Sequence, residues 1–428
     1  MTIFWFRRDL RLLDNTGLNL ALLESKNIQP LFIFDRDIVD ELTKDDPRVN
    51  FLYDELFKIN KELVSYNSSL KVYHGNPLEI FKQLLKENPE LEVYTNRDYE
   101  PYAIARDEEI NQLLSENGSR LISCKDQVIF EKNEVVKNDG LPYTVFTPFK
   151  NKWLAKFKEE GFHVELNLKS ENFNESNHKF PSLEQLGLEK SSIKVPPFGL
   201  DKVHNYEETR NFPFLDSTSK IGPHLRFGTV SIREIISKVK DLNDTYLSEL
   251  VWREFFMQIL WHFPKVVHEN FRAKYNFIKW RNNEEEFEKW CKGETGYPLV
   301  DAGMRELNQT GFMHNRVRMV TAGFLCKHLL IDWRWGEAYF AKKLLDYELS
   351  SNNGNWQWSA GTGCDAAPYF RVFNPSEQIK KFDKQNNYLN KWVVDLNEFS
   401  YPDPMVEHSF ARNRAIASYK EGLMKYSE

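Results

Sequence analysis

The segment from Ser350 to Pro375 combines side chains that suit a flat, conjugated ligand. It places Trp356 and Trp358 among several asparagines, carries Arg371 near its end, and follows neither a helical nor a strand period. Buried indoles need hydrogen-bond partners, and loops that set polar groups beside aromatic faces often hold conjugated rings or nucleic-acid bases. We therefore predict a turn-rich, aromatic-lined site. Two indoles two residues apart outside a helix should diverge, so one can face an internal cofactor and the other an external ligand.

A carboxyl group lies among large aromatics on the helix predicted near Leu247. Glu249, Trp252 and Phe256 occupy positions i, i+3 and i+7 and so share one helix face. A carboxylate at a helix start often serves only to stabilise the helix dipole. The alternative is a carboxyl desolvated by its aromatic neighbours. Its raised pKa would keep it protonated, and it could then donate a hydrogen bond to a carbonyl that gains negative charge.

Another predicted helix carries a half-polar stripe made of Asn315, Met319 and Ala322, while Arg316 and Arg318 point elsewhere. Asn is costly to bury without a partner, whereas Met on a helix is commonly a core residue. Arg316 alone is typical of a solvated surface. The stripe therefore favours a lined site only if other evidence places a ligand there.

Trp290, Trp333 and Trp356 are far apart in the chain and, taken alone, fit three separate core positions. The chain has no nucleophile elbow, no H-E-x-x-H motif and no Gly-rich phosphate loop. Hydrolytic and phosphoryl-transfer chemistry are therefore disfavoured.

The first part of the chain, which precedes all of these residues, alternates apolar and amphipathic runs. The apolar runs predict buried strands at Thr2–Phe6, Leu31–Asp35, Leu70–His74, Leu91–Thr95 and Arg120–Ser123. The amphipathic runs predict helices at Asn15–Ser25, Arg48–Tyr66, Pro77–Glu87 and Ala103–Glu116. Strand–helix alternation implies a doubly wound, Rossmann-like parallel sheet. The first strand is followed by no Gly-rich loop, so a standard nucleotide phosphate cradle is not expected there.

A polar stretch rich in Asn, Ser, Lys and Pro comes next, with one predicted helix at Thr147–Glu160. Beyond Asp201 the periods are helical only, at Ser231–Leu242, Leu247–His262, Glu284–Cys291, Leu299–Thr310, Asn315–Leu330, Gly336–Leu345 and Pro404–Lys420. We predict an α/β domain at 1–130, a connector at 131–200 and an all-α domain at 201–428.

Composition narrows the class of protein. The 428 residues carry a net charge of -6, so nucleic-acid binding would need a local basic face. The four cysteines are scattered singly, which suits a reducing cytoplasm and disfavours a metal site. No run resembles a membrane span or a targeting segment, so a cytoplasmic protein without a membrane partner is expected.

These residues resemble the photolyase/cryptochrome family, and most closely its class I cyclobutane pyrimidine dimer photolyases. The resemblance spans nearly the whole chain in the family's order. It is carried by Trp5–Arg11, Val145–Phe149, Trp252–Phe255, Thr295–Pro298, Gly311–Met319 and Asn352–Asp365.

The resemblance implies a U-shaped FAD in the helical domain. Its phosphate, ribose and ring contacts are expected from Tyr206, Thr218, Ser219, Lys220, Ile221, Gly222, Tyr246, Asn315, Arg318, Asp346, Glu348 and Asn352. Asn352 would face flavin N5, where plant cryptochromes have Asp and animal ones Cys. Glu348 stands where the family usually has Asp, and Tyr246 where Trp is common. Both departures keep the chemical type and affect only the fine geometry.

The implied reaction is light-driven electron transfer from FADH⁻ to a thymine dimer in DNA, with splitting of the cyclobutane ring. The neutral Glu249 would hydrogen-bond the dimer's carbonyls. Trp252, Trp358, Asn315 and Met319 would hold the flipped bases. Trp356, Trp333 and Trp290 match a tryptophan chain through which oxidised flavin is photoreduced.

By the same resemblance, DNA contacts are expected from Arg210, Asn315, Arg316, Arg371, Gln378 and Lys381. A second, antenna chromophore in the α/β domain is expected at Arg48, Asp98 and Glu100, against the alternative that these are ordinary loop charges. No folate-gripping carboxylate stands near Tyr102, so a deazaflavin or flavin is expected there rather than folate.

Two alternatives share this fold. A cryptochrome-type blue-light receptor is disfavoured by Asn352 and by the lack of a long tail after residue 420. A (6-4) photolyase would use a histidine pair at the lesion, and the Gly311–Arg316 run with Met319 fits the cyclobutane class better. A monomer is expected in either case.

Overall fold

The computed structural model describes residues 1–427, and it begins with a parallel sheet. The strands are β1 (Thr2–Phe6), β2 (Ile28–Asp35), β3 (Lys71–Gly75), β4 (Glu92–Asn96) and β5 (Arg120–Cys124). Their order is β3-β2-β1-β4-β5, with Thr2 of β1 opposite Ile28 on one side and Glu92 on the other. All pairings are parallel, so the predicted doubly wound sheet is confirmed.

The helices that link the strands cover both faces of the sheet. They are α1 (Thr16–Glu24), α2 (Arg36–Val39), α3 (Pro47–Ser65), α4 (Pro77–Glu87) and α5 (Pro101–Glu116). Asn15, Asp46 and Asn76 cap the first turns of α1, α3 and α4 through their side chains, as short polar residues do at helix starts. Because helices cover both faces, β2 is buried along its whole length.

The chain passes from β1 outward through β2 to β3 and then returns to β4 on the other side of β1. This reversal makes β1 and β4 a topological switch point, where parallel sheets open a crevice at the carboxyl ends of the strands. The residues just after β1, β2 and β4 are therefore candidates for ligand contact.

The later elements are helical. They are α6 (Phe146–Glu160), α7 (Tyr206–Thr209), α8 (Gly222–Phe227), α9 (Ile232–Val239), α10 (Asp244–His262), α11 (Glu284–Lys292), α12 (Pro298–Thr310), α13 (Asn315–Gly323), α14 (Trp333–Lys343), α15 (Leu349–Ala360), α16 (Pro375–Phe382), α17 (Asn387–Trp392) and α18 (His408–Ser427). Short 3₁₀ turns lie at Ser170–Asn172, Glu184–Leu186, Val203–Asn205, Pro264–Val267 and Ala273–Phe277.

The prediction that the segment from Ser350 to Pro375 lacks regular structure was wrong. Its first part is α15, and α16 begins at Pro375. Asn and Gly are poor helix formers, but α15 buries residues on more than one side, so tertiary packing overrides local propensity. Trp356 and Trp358 still point apart, because residues two positions apart on a helix are about 200° apart.

The predicted helix Asn315–Leu330 is interrupted. After α13 the chain forms a π-helical turn at Phe324–His328, which adds a residue to the turn and changes the direction of the next side chains. The turn buries Lys327, which donates to the backbone oxygen of Ala360 at 2.6 Å.

The chain forms two compact units that interleave in sequence, whereas the sequence analysis predicted contiguous ranges. One unit, called here the α/β unit, comprises Met1–Glu134, Trp153–Phe198 and Lys220–Asp241. The other, the helical unit, comprises Val135–Lys152, Gly199–Ser219 and Leu242–Glu428. No helix within residues 1–427 has the length and apolar character needed to cross a membrane.

Candidate functional site

A cavity of about 280 Å³ opens in the helical unit. Three helices supply most of its wall, each through residues three or four positions apart, which share a helix face. The lining residues are Glu249, Trp252, Arg253 and Phe256 of α10, Asn315 and Met319 of α13, Ser351, Asn355 and Trp358 of α15, and Arg210. The structure thus brings together Glu249 and all four residues predicted to hold the flipped bases, although they are spread over about 110 positions of the chain.

The sequence offered an apolar pocket as one interpretation for Glu249, but the pocket around it also contains a charged group. The Glu249 carboxylate forms an ion pair with Arg210 at 2.5 Å. Burial raises the pKa of Glu249 above its ordinary value, and the Arg210 guanidinium opposes that rise. Sequence reasoning missed the pair because the two residues lie on separate elements.

Trp252 is held from behind by Phe146, a contact that sequence reasoning also missed. The two rings stack with centroids 3.6 Å apart and planes within 9°. The Phe146 backbone N–H donates to Asp365, which ties the start of α6 to the segment after α15. The run Val145–Phe149 had carried the family resemblance, but no role was attached to it. With Phe146 behind it, the Trp252 indole is fixed at the cavity wall.

A different face of α15 carries Asn352 and Trp356, four positions apart. The Asn352 amide donates to the side chain of Glu337 at 2.8 Å and to its backbone oxygen at 3.1 Å. Burial raises the pKa of the Glu337 carboxyl, and the hydrogen bond from Asn352 acts against that shift. Glu337 was not predicted as a site residue, and nothing in its local sequence distinguishes it.

The three predicted relay tryptophans are all buried in one core of the helical unit. Trp356 and Trp290 lie edge to face with ring centroids 6.1 Å apart, and the Trp333 indole donates to Asn270 at 2.9 Å. Trp280 and Trp335 pack on the same core but are only partly buried. An electron relay that reaches an external reductant needs an accessible end, which Trp290 does not provide.

The predicted phosphate and ribose residues of the helical unit cluster. The Tyr246 hydroxyl donates to the Ser219 hydroxyl at 2.9 Å, and the Tyr206 ring packs edge-on against Tyr246. The Thr218 hydroxyl is buried and has no hydrogen-bond partner among the described residues. An unpartnered buried hydroxyl beside other hydroxyls fits the phosphate or ribose oxygens of a dinucleotide such as FAD. Lys220, Ile221 and Gly222 belong to the α/β unit and lead into α8.

Two of the charged residues predicted around the flavin ring pair with each other, and the third, Glu348, pairs with Arg253, which was not predicted there. Arg318 makes a two-bond contact to Asp346 at 2.9 and 3.1 Å, and Arg253 lies 3.3 Å from Glu348. Planar two-bond pairing fixes the guanidinium in position.

The predicted DNA contacts fall into two groups. The Arg316 guanidinium lies 4.4 Å from the Phe382 ring centroid, and the Lys381 ammonium lies 5.1 Å from the same ring. Burial and the nearby Arg210 lower the pKa of Arg316. Gln378, on the same helix as Phe382, has a buried side-chain oxygen without a partner among the described residues. Arg371 stands apart from this group, exposed on the segment before α16.

A second cavity, of about 160 Å³, lies in the α/β unit at the switch point. Arg7 and Arg106 each lie 4.9 Å from the Trp5 ring, and the Trp5 indole N–H is buried without a partner among the described residues. Asp98 and Glu100 line this cavity and pair with Arg8. Although burial alone would raise it, Arg8 and Arg7 hold the pKa of Asp98 below its usual range.

Arg48, the third residue predicted for this antenna pocket, does not line the cavity. Its guanidinium binds Asp46 at 2.5 Å, beside the first turn of α3.

Known protein families match both units of this architecture. Residues 2–167 match the family described as DNA photolyase, and residues 246–400 match the FAD binding domain of DNA photolyase. The fold and the two matched regions define the class as a flavoprotein with an α/β unit and a helical FAD-binding unit.

Curated relatives match over essentially their whole length. The deoxyribodipyrimidine photo-lyase of Halobacterium salinarum is 34% identical over 98% of this chain and 99% of its own. That of Escherichia coli is 33% identical over 98% of both. The chain belongs to the DNA photolyase family, and the resemblance seen in the sequence is confirmed.

Solved structures agree in fold. A class III photolyase from Agrobacterium tumefaciens has a TM-score of 0.86 at 32% identity, covering 98% of this chain and 97% of that chain. An archaeal photolyase from Sulfolobus tokodaii with two FAD molecules has a TM-score of 0.86 at 35% identity, covering 98% and 99%. A Synechocystis cryptochrome has a TM-score of 0.84 at 26% identity, covering 97% and 98%.

Proposed function

We propose that this protein is a deoxyribodipyrimidine photo-lyase that repairs cyclobutane pyrimidine dimers in DNA by light-driven electron transfer. One observation carries the proposal. A carboxyl group, two indoles, an amide and a methionine line one cavity of about 280 Å³ in the part of the chain that matches a FAD binding domain. Enzymes that act on a base inside a duplex must turn it out into such a pocket.

The aromatic wall suits a pair of joined pyrimidines. Trp252 and Trp358 come from different helices and both face the cavity, and base–aromatic stacking contributes about 1–3 kcal/mol per base. Met319 adds an apolar contact that adapts to the bent dimer. The Asn315 amide and the Glu249 carboxyl supply the polar contacts that orient the pyrimidine edges.

Glu249 has the role of a hydrogen-bond donor to a pyrimidine carbonyl that becomes more negative during repair. Such a donor stabilises the reacting state only if the carboxyl is protonated. The raised pKa of Glu249 favours the protonated form, while Arg210 opposes it.

FAD in its reduced form supplies, when bound and excited by light, the electron for the dimer. Tyr206, Thr218, Ser219 and Tyr246 would hold its phosphate and ribose groups. For Lys220, Ile221 and Gly222, which belong to the α/β unit, the same role stays a prediction from the family resemblance. Because Glu337 fixes the Asn352 amide nitrogen, the Asn352 side-chain oxygen is the atom left to accept from a ring N–H. Arg318, Asp346 and Glu348 would line the ring's surroundings as paired charges.

DNA is the proposed partner. Arg210, Arg316 and Lys381 would grip phosphates on one face, with Gln378 beside them and Arg371 on the segment before α16. Arginine over an aromatic ring is held in one orientation, so less freedom is lost when a phosphate binds. We further propose that the enzyme acts as a monomer in the cytoplasm. The thiols of Cys124, Cys291, Cys326 and Cys364 are all unpaired, which suits a reducing compartment.

The cavity of the α/β unit is proposed to hold the antenna chromophore. Arginines beside the Trp5 ring and an unpartnered indole N–H suit a flat ring system with carbonyl acceptors, as in a flavin or deazaflavin. The archaeal neighbour with two FAD molecules supports this choice. Asp98 and Glu100 remain in this proposal, and Arg48 does not.

Illumination of the protein with its flavin reduced, against a dark control, tests the proposal. The purified protein, with its flavin reduced, is illuminated with an oligonucleotide that contains one thymine dimer, and a dark sample serves as control. Repair in the light alone is expected, and extraction with mass analysis should identify FAD. Glu249→Ala should lower the quantum yield of repair while FAD is retained. An intact dimer after illumination of the fully reduced wild type would refute the proposal.

A further inference from the structure

The ion pair between Glu249 and Arg210 lies at the wall of the lesion cavity. Both residues line it, and their side chains remain about one-third exposed, at 35% and 29%. Arg210 follows the short helix α7, while Glu249 lies near the start of α10. A pair in this position can be opened by a ligand without unfolding either helix.

Arg210 faces a second cation. Arg316 donates to the side-chain oxygen of Asn211, the residue after Arg210, and packs on Phe382. Within residues 1–427, no carboxylate lies within ion-pair distance of Arg316. Burial, and after it repulsion from Arg210, lowers the pKa of Arg316. Of these two neighbouring guanidiniums, Arg210 has a carboxylate partner and Arg316 has none among the described residues, so an arriving phosphate would relieve their repulsion.

We propose that a phosphate of the DNA backbone displaces Glu249 from Arg210, and that Glu249 then takes up a proton from solvent and becomes the neutral donor for the lesion. This inference rests on the proposed function, and it adds a coupling between DNA binding and the protonation state of Glu249. In the free protein the Arg210 guanidinium opposes protonation of Glu249. In the DNA complex Arg210 binds the phosphate instead.

The surroundings of Glu249 favour the neutral acid once Arg210 has left. An opposite charge at contact distance lowers a carboxyl pKa by about 1–3 units, so losing it raises the pKa by a similar amount. The other charged group of the cavity, Arg253, is paired with Glu348 at 3.3 Å. Burial, and after it the charge of Glu249, raises the pKa of the Tyr206 phenol, which therefore stays neutral. Asn315, Ser351 and Asn355 carry no charge.

The experiment measures protons taken up when DNA binds. Calorimetric titration of the flavin-loaded protein with a dimer-containing oligonucleotide is carried out in the dark, in buffers of different ionisation enthalpy. We expect the wild type to take up a substantial fraction of one proton per DNA bound near neutral pH. Glu249→Gln should abolish this uptake, because no carboxyl remains to be protonated.

Two arginine variants separate the coupling from general weakening. Arg316→Gln should bind DNA about tenfold more weakly, as expected for one lost charged contact, yet keep the proton uptake. Arg210→Gln should lose affinity and uptake together, because the charge that opposes protonation of Glu249 is already absent in the free protein. Equal uptake by wild type and Glu249→Gln, or no uptake by the wild type, would overturn the proposal. Because the titration is dark, failure of light-driven repair is a separate result.

Discussion

The Asn352 amide donates to the Glu337 carboxylate at 2.8 Å, so a partly buried acid on α14 sets the orientation of the amide expected to face the flavin. An amide has one donor end and one acceptor end, and fixing the first directs the second.

Glu337→Ala should therefore disturb the flavin more than the fold. The Asn352 amide would lose the Glu337 side chain and keep its hydrogen bond to the backbone oxygen at that position, at a cost of about 0.5–1.5 kcal/mol for one lost hydrogen bond. We expect the reduced flavin to oxidise faster in air, measured by absorbance, with FAD still bound. Glu337→Gln can keep a hydrogen bond to Asn352 and is the matched control. Equal oxidation rates in Glu337→Ala and wild type would contradict the orienting role.

The relay tryptophans predict a separation of two light reactions. Trp356→Phe should block photoreduction of oxidised FAD, because the indole nearest to Asn352 along α15 is lost, yet spare repair by enzyme reduced beforehand. Trp290→Phe and Trp280→Phe compare a fully buried residue with a partly exposed one as the end of the relay. If Trp280→Phe alone slows photoreduction by an external donor, the assignment of Trp290 to the relay is wrong. Normal photoreduction in Trp356→Phe would reject the chain altogether.

Phe146 should affect lesion recognition although its backbone lies on α6. Phe146→Leu keeps an apolar side chain but removes the stack on Trp252, and such aromatic pairs contribute about 0.5–1.5 kcal/mol. We expect binding of dimer-containing DNA to weaken by roughly two- to tenfold, measured by fluorescence anisotropy. Binding of undamaged DNA should not change, and a parallel loss there would mean that the variant acts on the fold.

Lys327 predicts a pH-dependent difference in stability. Burial lowers the pKa of its ammonium group to about 7. Because this is below the unfolded value, the unfolded chain binds more protons above pH 7, and stability rises with pH. Between about pH 7 and pH 8.5 the free energy of unfolding should rise by about 1.5 kcal/mol more in wild type than in Lys327→Met. Urea denaturation of both proteins at pH 7 and pH 8.5 measures these free energies of unfolding. Parallel curves for the two proteins would show that Lys327 is not the titrating group.

Phosphate contacts predict the salt dependence of DNA binding. Each lost contact should reduce the slope of log affinity against log salt by about one. Lys381→Ala should show this reduction, since its side chain is exposed at the proposed phosphate-binding face. Lys292→Ala, on a helix without predicted DNA contacts, is the control. An unchanged slope for Lys381→Ala would remove that residue from the interface.

Much of the fold could be predicted because strands and helices of an α/β unit have clear periods. The strands between Thr2 and Cys124 lie within a few residues of their predicted bounds. The helix α15 could not be predicted, since its Asn, Gly and Trp residues have little intrinsic helicity. The packing at Gly354 explains why α15 forms. A Cβ at this position would lie 2.1 Å from the ring of Phe256, so the α15 backbone packs directly against that ring, and this tertiary contact stabilises the helix.

Part of the candidate site could also be predicted from sequence periods. Residues on one helix, such as Glu249 and Trp252, reveal their shared face by spacing. Partners from different elements do not, and Arg210, Phe146 and Glu337 were therefore missed as neighbours of Glu249, Trp252 and Asn352. The family resemblance named several residues that line the cavity of the helical unit, and it also named Arg48, which does not line the cavity of the α/β unit.

The helix α15 presents its cavity-lining indole and its Glu337-bound amide from one rigid rod, at angles set only by sequence position. Inserting a single residue between Asn352 and Trp356 would turn both downstream indoles by about 100° and leave the amide in place. Each of the roles proposed for Asn352, Trp356 and Trp358 can therefore be changed separately by substitution. An insertion or deletion within α15 would instead change the relative orientation of these side chains together.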